Sequence, residues 1–187
     1  MKIKLAFASA AIIATAAHAG TPVQRMIYNV DAAAQCSMAA SDAGPLQQGV
    51  EYCDVALRDP LMSHRDALLV DRGVIKVKLN DVNGALADYN AAIAINPEMG
   101  DAYVSRAGAY IALKRNSEAL ADIDRGMQLN ASNLAVAYFN RGVIEDDQGN
   151  YQAAYRDYKQ AVALKPDYTA ASRELARFKV TRRTAWN

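Results

Sequence analysis

A segment of 34 residues occurs three times in near succession, and no other feature of the chain restricts its fold so strongly. The copies are 66–99, 100–133 and 135–168, the last set off by one inserted residue, Leu134. The same triplet returns in each as Asp71-Arg72-Gly73, Ser105-Arg106-Ala107 and Asn140-Arg141-Gly142. An aspartate follows each arginine sixteen positions on: Asp88, Asp122 and Asp157. Every copy reads as two helical stretches around a polar break. In the first, Leu69, Val70, Val74 and Val77 recur at helical spacing, and the break 80–84 carries turn-forming Asn, Asp and Gly. Ala85, Tyr89, Ala92 and Ile93 then share one face of a second stretch, which Pro97 ends. Breaks at 114–117 and 148–150 divide the other two copies in the same way.

The first copy places Leu69, Gly73, Ala85, Tyr89, Ala92 and Pro97 in an order that the second repeats with Tyr103, Ala107, Tyr110, Ala119, Ile123 and Gly126. The third has Tyr138, Gly142, Gly149, Tyr151, Ala154, Tyr158, Ala161 and Pro166. This pattern resembles the tetratricopeptide repeat, W-x2-L-G-x2-Y, then A-x3-F, then P. The resemblance implies an all-α fold, a helical-hairpin solenoid wound as a right-handed superhelix of three such repeats. Arginine stands where the family has leucine before the small residue, and Lys76 and Glu145 stand where it prefers tyrosine. Ala131 replaces the proline that would close the second repeat, so an altered angle between repeats two and three is expected.

The flanks read as end covers of the array. Residues 45–58 form a leading helix with Val50, Cys53, Ala56 and Leu57 on one side, a decayed half-repeat. Tyr168, Ala171, Leu175 and Phe178 share a face of a C-terminal capping helix, whose other face and tail carry Arg173, Arg177, Lys179, Arg182 and Arg183. Segment 20–44 shows weak periodicity. The division expected is thus a signal peptide (1–19), an N-terminal segment with leading helix (20–65), three repeats, and a capping helix with basic tail (169–187).

Lys2 and Lys4 precede the apolar run 5–17, closed by Ala17-His18-Ala19. This is the form of a secretory signal peptide cleaved after Ala19. The run falls short of the roughly 20 apolar residues that span a bilayer. An exported chain is expected, without a membrane span after cleavage and with the periplasm as its destination. The formal charge falls from +1 to −1 when Lys2 and Lys4 are removed, which offers no electrostatic handle for nucleic acid. Cys36 and Cys53 are an even pair in an exported chain, which favours a disulfide over two buried thiols.

Catalytic residues are not expected. His64 is the one histidine after the signal, and no G-x-S-x-G, H-E-x-x-H or Walker-type loop occurs. Neither a metal nor a cofactor is expected. The run Glu145-Asp146-Asp147 reads as a solvated helix end, or more sharply as a patch for a basic partner segment. The pairs Arg72–Asp88, Arg106–Asp122 and Arg141–Asp157 read as structural ion pairs, one at the same level of each hairpin.

In the family, the first helices of successive repeats line a concave groove that receives a peptide or helix. By resemblance the groove positions are Ala67, Val70, Val74 and Val77, then Asp101, Val104, Gly108 and Ile111, then Val136, Phe139, Val143 and Asp146. Relatives that clamp a C-terminal carboxylate use lysine, asparagine and arginine there, whereas the matching residues are Val70, Val74, Ser105, Val136 and Asn140. The function implied is a non-catalytic interaction module of the cell envelope. An assembly protein that stacks through its ends, or an accessory to a cell-wall enzyme, is the alternative. The groove could also be filled by the chain's own termini.

Overall fold

The structure, a computed structural model, describes residues 22–41 and 44–184. The expected signal peptide lies outside the described residues, as do the side chains of Lys179, Arg182 and Arg183. Nine α-helices and no strand occur among the described residues: α1 (Pro22–Ala40), α2 (Leu46–Arg58), α3 (Arg65–Lys78), α4 (Val82–Ile95), α5 (Gly100–Ala112), α6 (Asn116–Gln128), α7 (Leu134–Asp147), α8 (Tyr151–Leu164) and α9 (Thr169–Thr184). They pack as hairpins α1–α2, α3–α4, α5–α6 and α7–α8, each stacked on the next, with α9 laid on α8. No described helix is long and apolar enough to cross a membrane.

One turn closes all three repeat hairpins. Asn80, Lys114 and Gly149 are left-handed, with φ of 65, 59 and 80°. Their amides bond the carbonyls of Val77, Ile111 and Asp146, and the amides of Asp81, Arg115 and Asn150 bond those of Lys76, Tyr110 and Glu145 at 2.8–2.9 Å. This is the Schellman arrangement, which satisfies the carbonyls orphaned at the end of a first helix.

Inside each hairpin a small residue on the first helix receives a large one from the second. A Cβ at Gly73 would stand 2.5 Å from the Tyr89 ring, and one at Gly142 would stand 2.9 Å from Tyr158. Both rings are 1% exposed, and burying a side chain of that size contributes about 2–3 kcal/mol. The second repeat solves the same problem with Ala107 and Ile123, both wholly buried.

The N-terminal segment departs from expectation. It forms α1, and α1 with α2 makes a complete fourth hairpin rather than a half-repeat. Cys36 and Cys53 are bonded and wholly buried between these helices. Cys53 sits on its second helix where Tyr89 sits in the first repeat, followed in both by a buried alanine three residues on, Ala56 and Ala92. A covalent bond thus stands where the repeats use an aromatic ring. Periodicity is weak in α1 because its buried side is made of Ala32, Cys36 and Ala39; such small side chains differ little from the alanines on its exposed side.

The junction between repeats two and three also differs. Asn96 and Lys165 are extended, with φ near −134 and −138°, as residues before Pro97 and Pro166 must be. With Ala131 in place of proline, Asn130 turns left-handed (φ 52°) and the Ala131 amide bonds the Gly126 carbonyl at 3.0 Å. The link from α6 to α7, residues 129–133, is one residue longer than the links 96–99 and 165–168 at the neighbouring junctions.

Candidate functional site

The three arginines meet their aspartates at both ends of the guanidinium fork. Nε and Nη2 of Arg72 donate to Asp88 at 2.9 and 2.5 Å, those of Arg106 to Asp122 at 2.7 Å each, and those of Arg141 to Asp157 at 2.8 and 2.9 Å. The carboxylates are 3, 6 and 7% exposed, so each pair lies at the edge of a hairpin core. Each guanidinium is held above the usual arginine range, first by the hydrogen bond to its aspartate and against the opposing effect of burial.

Sequence reading missed the remaining nitrogen. Nη1 reaches back to the second helix of the preceding hairpin, where it meets Asp54 Oδ1 at 2.6 Å, Asn90 Oδ1 at 2.7 Å and Met127 Sδ at 3.7 Å. One side chain therefore clips three helices. One further departure from the family pattern, Lys76, serves the first clip. Lys76 Nζ brings a second cation to Asp88 at 2.8 Å. Arg106 lies 5.5 and 5.7 Å from the ring centres of Tyr103 and Tyr110, and Arg141 lies 5.3 Å from that of Tyr138.

The first helices α1, α3, α5 and α7 stand side by side, and their faces turned away from the second helices carry the expected groove positions. Val70 is 9% exposed and belongs to the core of the first repeat, with Val74 and Val77 partly buried against it. Ala67, Gly108 and Val143 are partly exposed. Ile111 and Val136 pack partly buried on the core between repeats two and three. Phe139 is wedged between Tyr158 and Tyr168, with ring centres 5.7 and 5.1 Å away. Val70 and Val104 correct the expectation: both are buried, and Cγ2 of Val104 fills the space a side chain at Gly126 would need. Asp101 serves the altered junction, accepting from the Ser132 hydroxyl (2.7 Å) and the Asn133 amide (3.1 Å).

The acidic end of the stripe is engaged within the chain. Asp146 is paired with Arg177 of α9, Asp147 with Lys114 at 3.0 Å, and Glu145 accepts from Asn150 at 2.9 Å. At the other end the stripe continues into α1, where Val30, Ala34 and Met38 lie opposite the buried face, Val30 and Met38 being 59 and 45% exposed. Their four-residue spacing puts them on one face. His64 begins α3 in a left-handed conformation, far along the chain from any other imidazole.

Family models for the tetratricopeptide repeat match residues 70–133 and 135–168, together just over half of the chain. The chain is 31% identical over 90 residues to serine/threonine-protein phosphatase 5 of Rattus norvegicus, a match covering 48% of this chain and 18% of that one. It is 35% identical over 83 residues to tetratricopeptide repeat protein 6 of Homo sapiens, covering 44 and 16%. The chain thus spans less than a fifth of the length of these relatives. Among solved structures it resembles the first repeat domain of Spaghetti (RPAP3) bound to the HSP90 peptide SRMEEVD, at 25% identity and a TM-score of 0.55, covering 66% of this chain and 95% of that one. A repeat protein from Parabacteroides merdae shares the fold at a TM-score of 0.64 and 22% identity, covering 89 and 62%.

Proposed function

Because the chain belongs to the tetratricopeptide-repeat family, we propose that it is a non-catalytic interaction module that docks a partner peptide or helix along its concave stripe. The observation that carries this reading is the run of apolar side chains left partly exposed there, from Val30 and Met38 through Val74, Val77 and Ile111 to Val143. A run of partly exposed apolar side chains of this kind suits an amphipathic helix or an apolar strand. The peptide SRMEEVD held by the RPAP3 domain is acidic at its end. The valines and Ser105 in this groove suit an apolar partner instead. The signal-like residues 1–19 support an envelope setting, with the periplasm as the place of action.

A photo-crosslinking residue in place of Ile111, exposed in cells, is expected to capture a second protein. The same residue in place of Ile95, on a second helix and 54% exposed, is expected to lose that adduct. Adducts confined to the chain itself from position 111 would mean that the groove is filled internally, and would overturn the proposal.

A further inference from the structure

The near-neutral total charge conceals a division along the array. Residues 22–61, the N-terminal hairpin and its exit, hold five carboxylates against two arginines. Residues 165–187 hold six cationic side chains against two carboxylates. Because each hairpin packs on its sequence neighbours, α1–α2 and α9 lie at opposite ends of the array among the described residues.

The C-terminal end also leaves aromatic surface open. In the first repeat, Val82 and Leu86 of α4 are covered by the next hairpin, Leu86 to 8% exposure. The equivalent residues of α8 are Tyr151 and Tyr155, whose rings meet Phe178 of α9 and which stay 62 and 37% exposed. Arg173 stands 80% exposed on α9, and Arg156 and Lys159 are exposed on α8. At the other end Asp31 is exposed on α1, and Tyr28 and Tyr52 are half-buried on α1 and α2. Asp31 faces away from Ser37 and Ala40, the α1 residues that bond Asp71 and Lys78 of α3. Exposed Glu51 extends the acidic patch.

The geometry points to a second copy of this chain as the occupant of the C-terminal end, its acidic α1–α2 hairpin packing on the exposed faces of α8 and α9. The contact is heterologous, basic end to acidic end. It does not close on itself, so copies add head to tail with rising concentration. It is independent of the groove, whose apolar stripe stays open along the concave side.

Sedimentation velocity of the purified protein tests this at low and high salt. Concentration-dependent growth is expected in ~0.05 M salt, weakened roughly tenfold or more in ~0.5 M salt where charges are screened beyond a few ångströms. Arg173→Glu alone and Asp31→Lys alone are each expected to abolish growth, and an equimolar mixture of the two is expected to restore it. In that mixture the unaltered basic end of D31K meets the unaltered acidic end of R173E, and the two reversed ends meet as opposite charges again. A monomer throughout the micromolar range would overturn the proposal, and so would growth indifferent to both substitutions. Growth abolished by Ile111→Arg but not by the charge reversals would place the contact in the groove and equally defeat it.

Discussion

Asp122→Ala is expected to cost about 3–4 kcal/mol of stability, far more than an exposed ion pair could, because it strands a guanidinium that is already largely out of water. Arg106 has a side chain 17% exposed, and both bonds to Asp122 are 2.7 Å long. Removing the carboxylate leaves two N–H donors without acceptors in the hairpin, with only Asn90 and the flanking tyrosines as company. In a chain of this size that loss corresponds to a melting temperature lower by roughly 6–16 °C. Arg106→Leu restores the family's usual residue, and Arg106→Leu with Asp122→Ala is expected to cost far less than the two single changes together. Thermal and urea unfolding of the four proteins gives the coupling. A value near zero would show that the pair does not set the register of the two helices.

Reduction of Cys36–Cys53, or replacement of both by alanine, is expected to cost about 3 kcal/mol. The bond closes a loop of 17 residues, and the unfolded-chain entropy released by opening such a loop is about that large. The loss should be local. Ala32, Ala39, Ala56, Leu68 and Ile75 form one core with the cystine, so the α1–α2 hairpin would loosen from α3 while repeats two and three hold. Circular dichroism with and without reductant would show an early transition of about one hairpin's amplitude. An unchanged melt would mean that packing of the alanines alone secures this hairpin.

The repeats were legible because each position in them has a chemical contrast with its neighbours. Gly73 against Tyr89 and Pro97 against Asn96 can be read from residue type alone. The Arg–Asp pairs were legible because their offset never varies. What could not be read was contact between repeats: Asp54, Asn90 and Met127 are chemically unlike and stand at offsets of 18, 16 and 14 from their arginines. No single pattern covers a carboxylate, an amide and a thioether. Helix α1 was hidden for a different reason, since an alanine face buries little area and leaves a weak periodic trace. Within the groove, spacing put Val104 on the same stripe as Val70, but it could not show how far a side chain sinks when Gly126 lies opposite.

The backward-reaching arm of each arginine means that no repeat here is a closed unit. A repeat standing alone would keep its internal fork but leave one donor searching for the neighbour that completes it. Cooperation between repeats is therefore directional, each unit depending on its predecessor, and its strength follows the acceptor: an anion at Asp54, an amide at Asn90, a sulfur at Met127. The weakest of these coincides with the junction that has lost its proline and gained Leu134. If the array ever opens in two steps, the seam is between α6 and α7, and amide exchange across that seam would be the first to quicken.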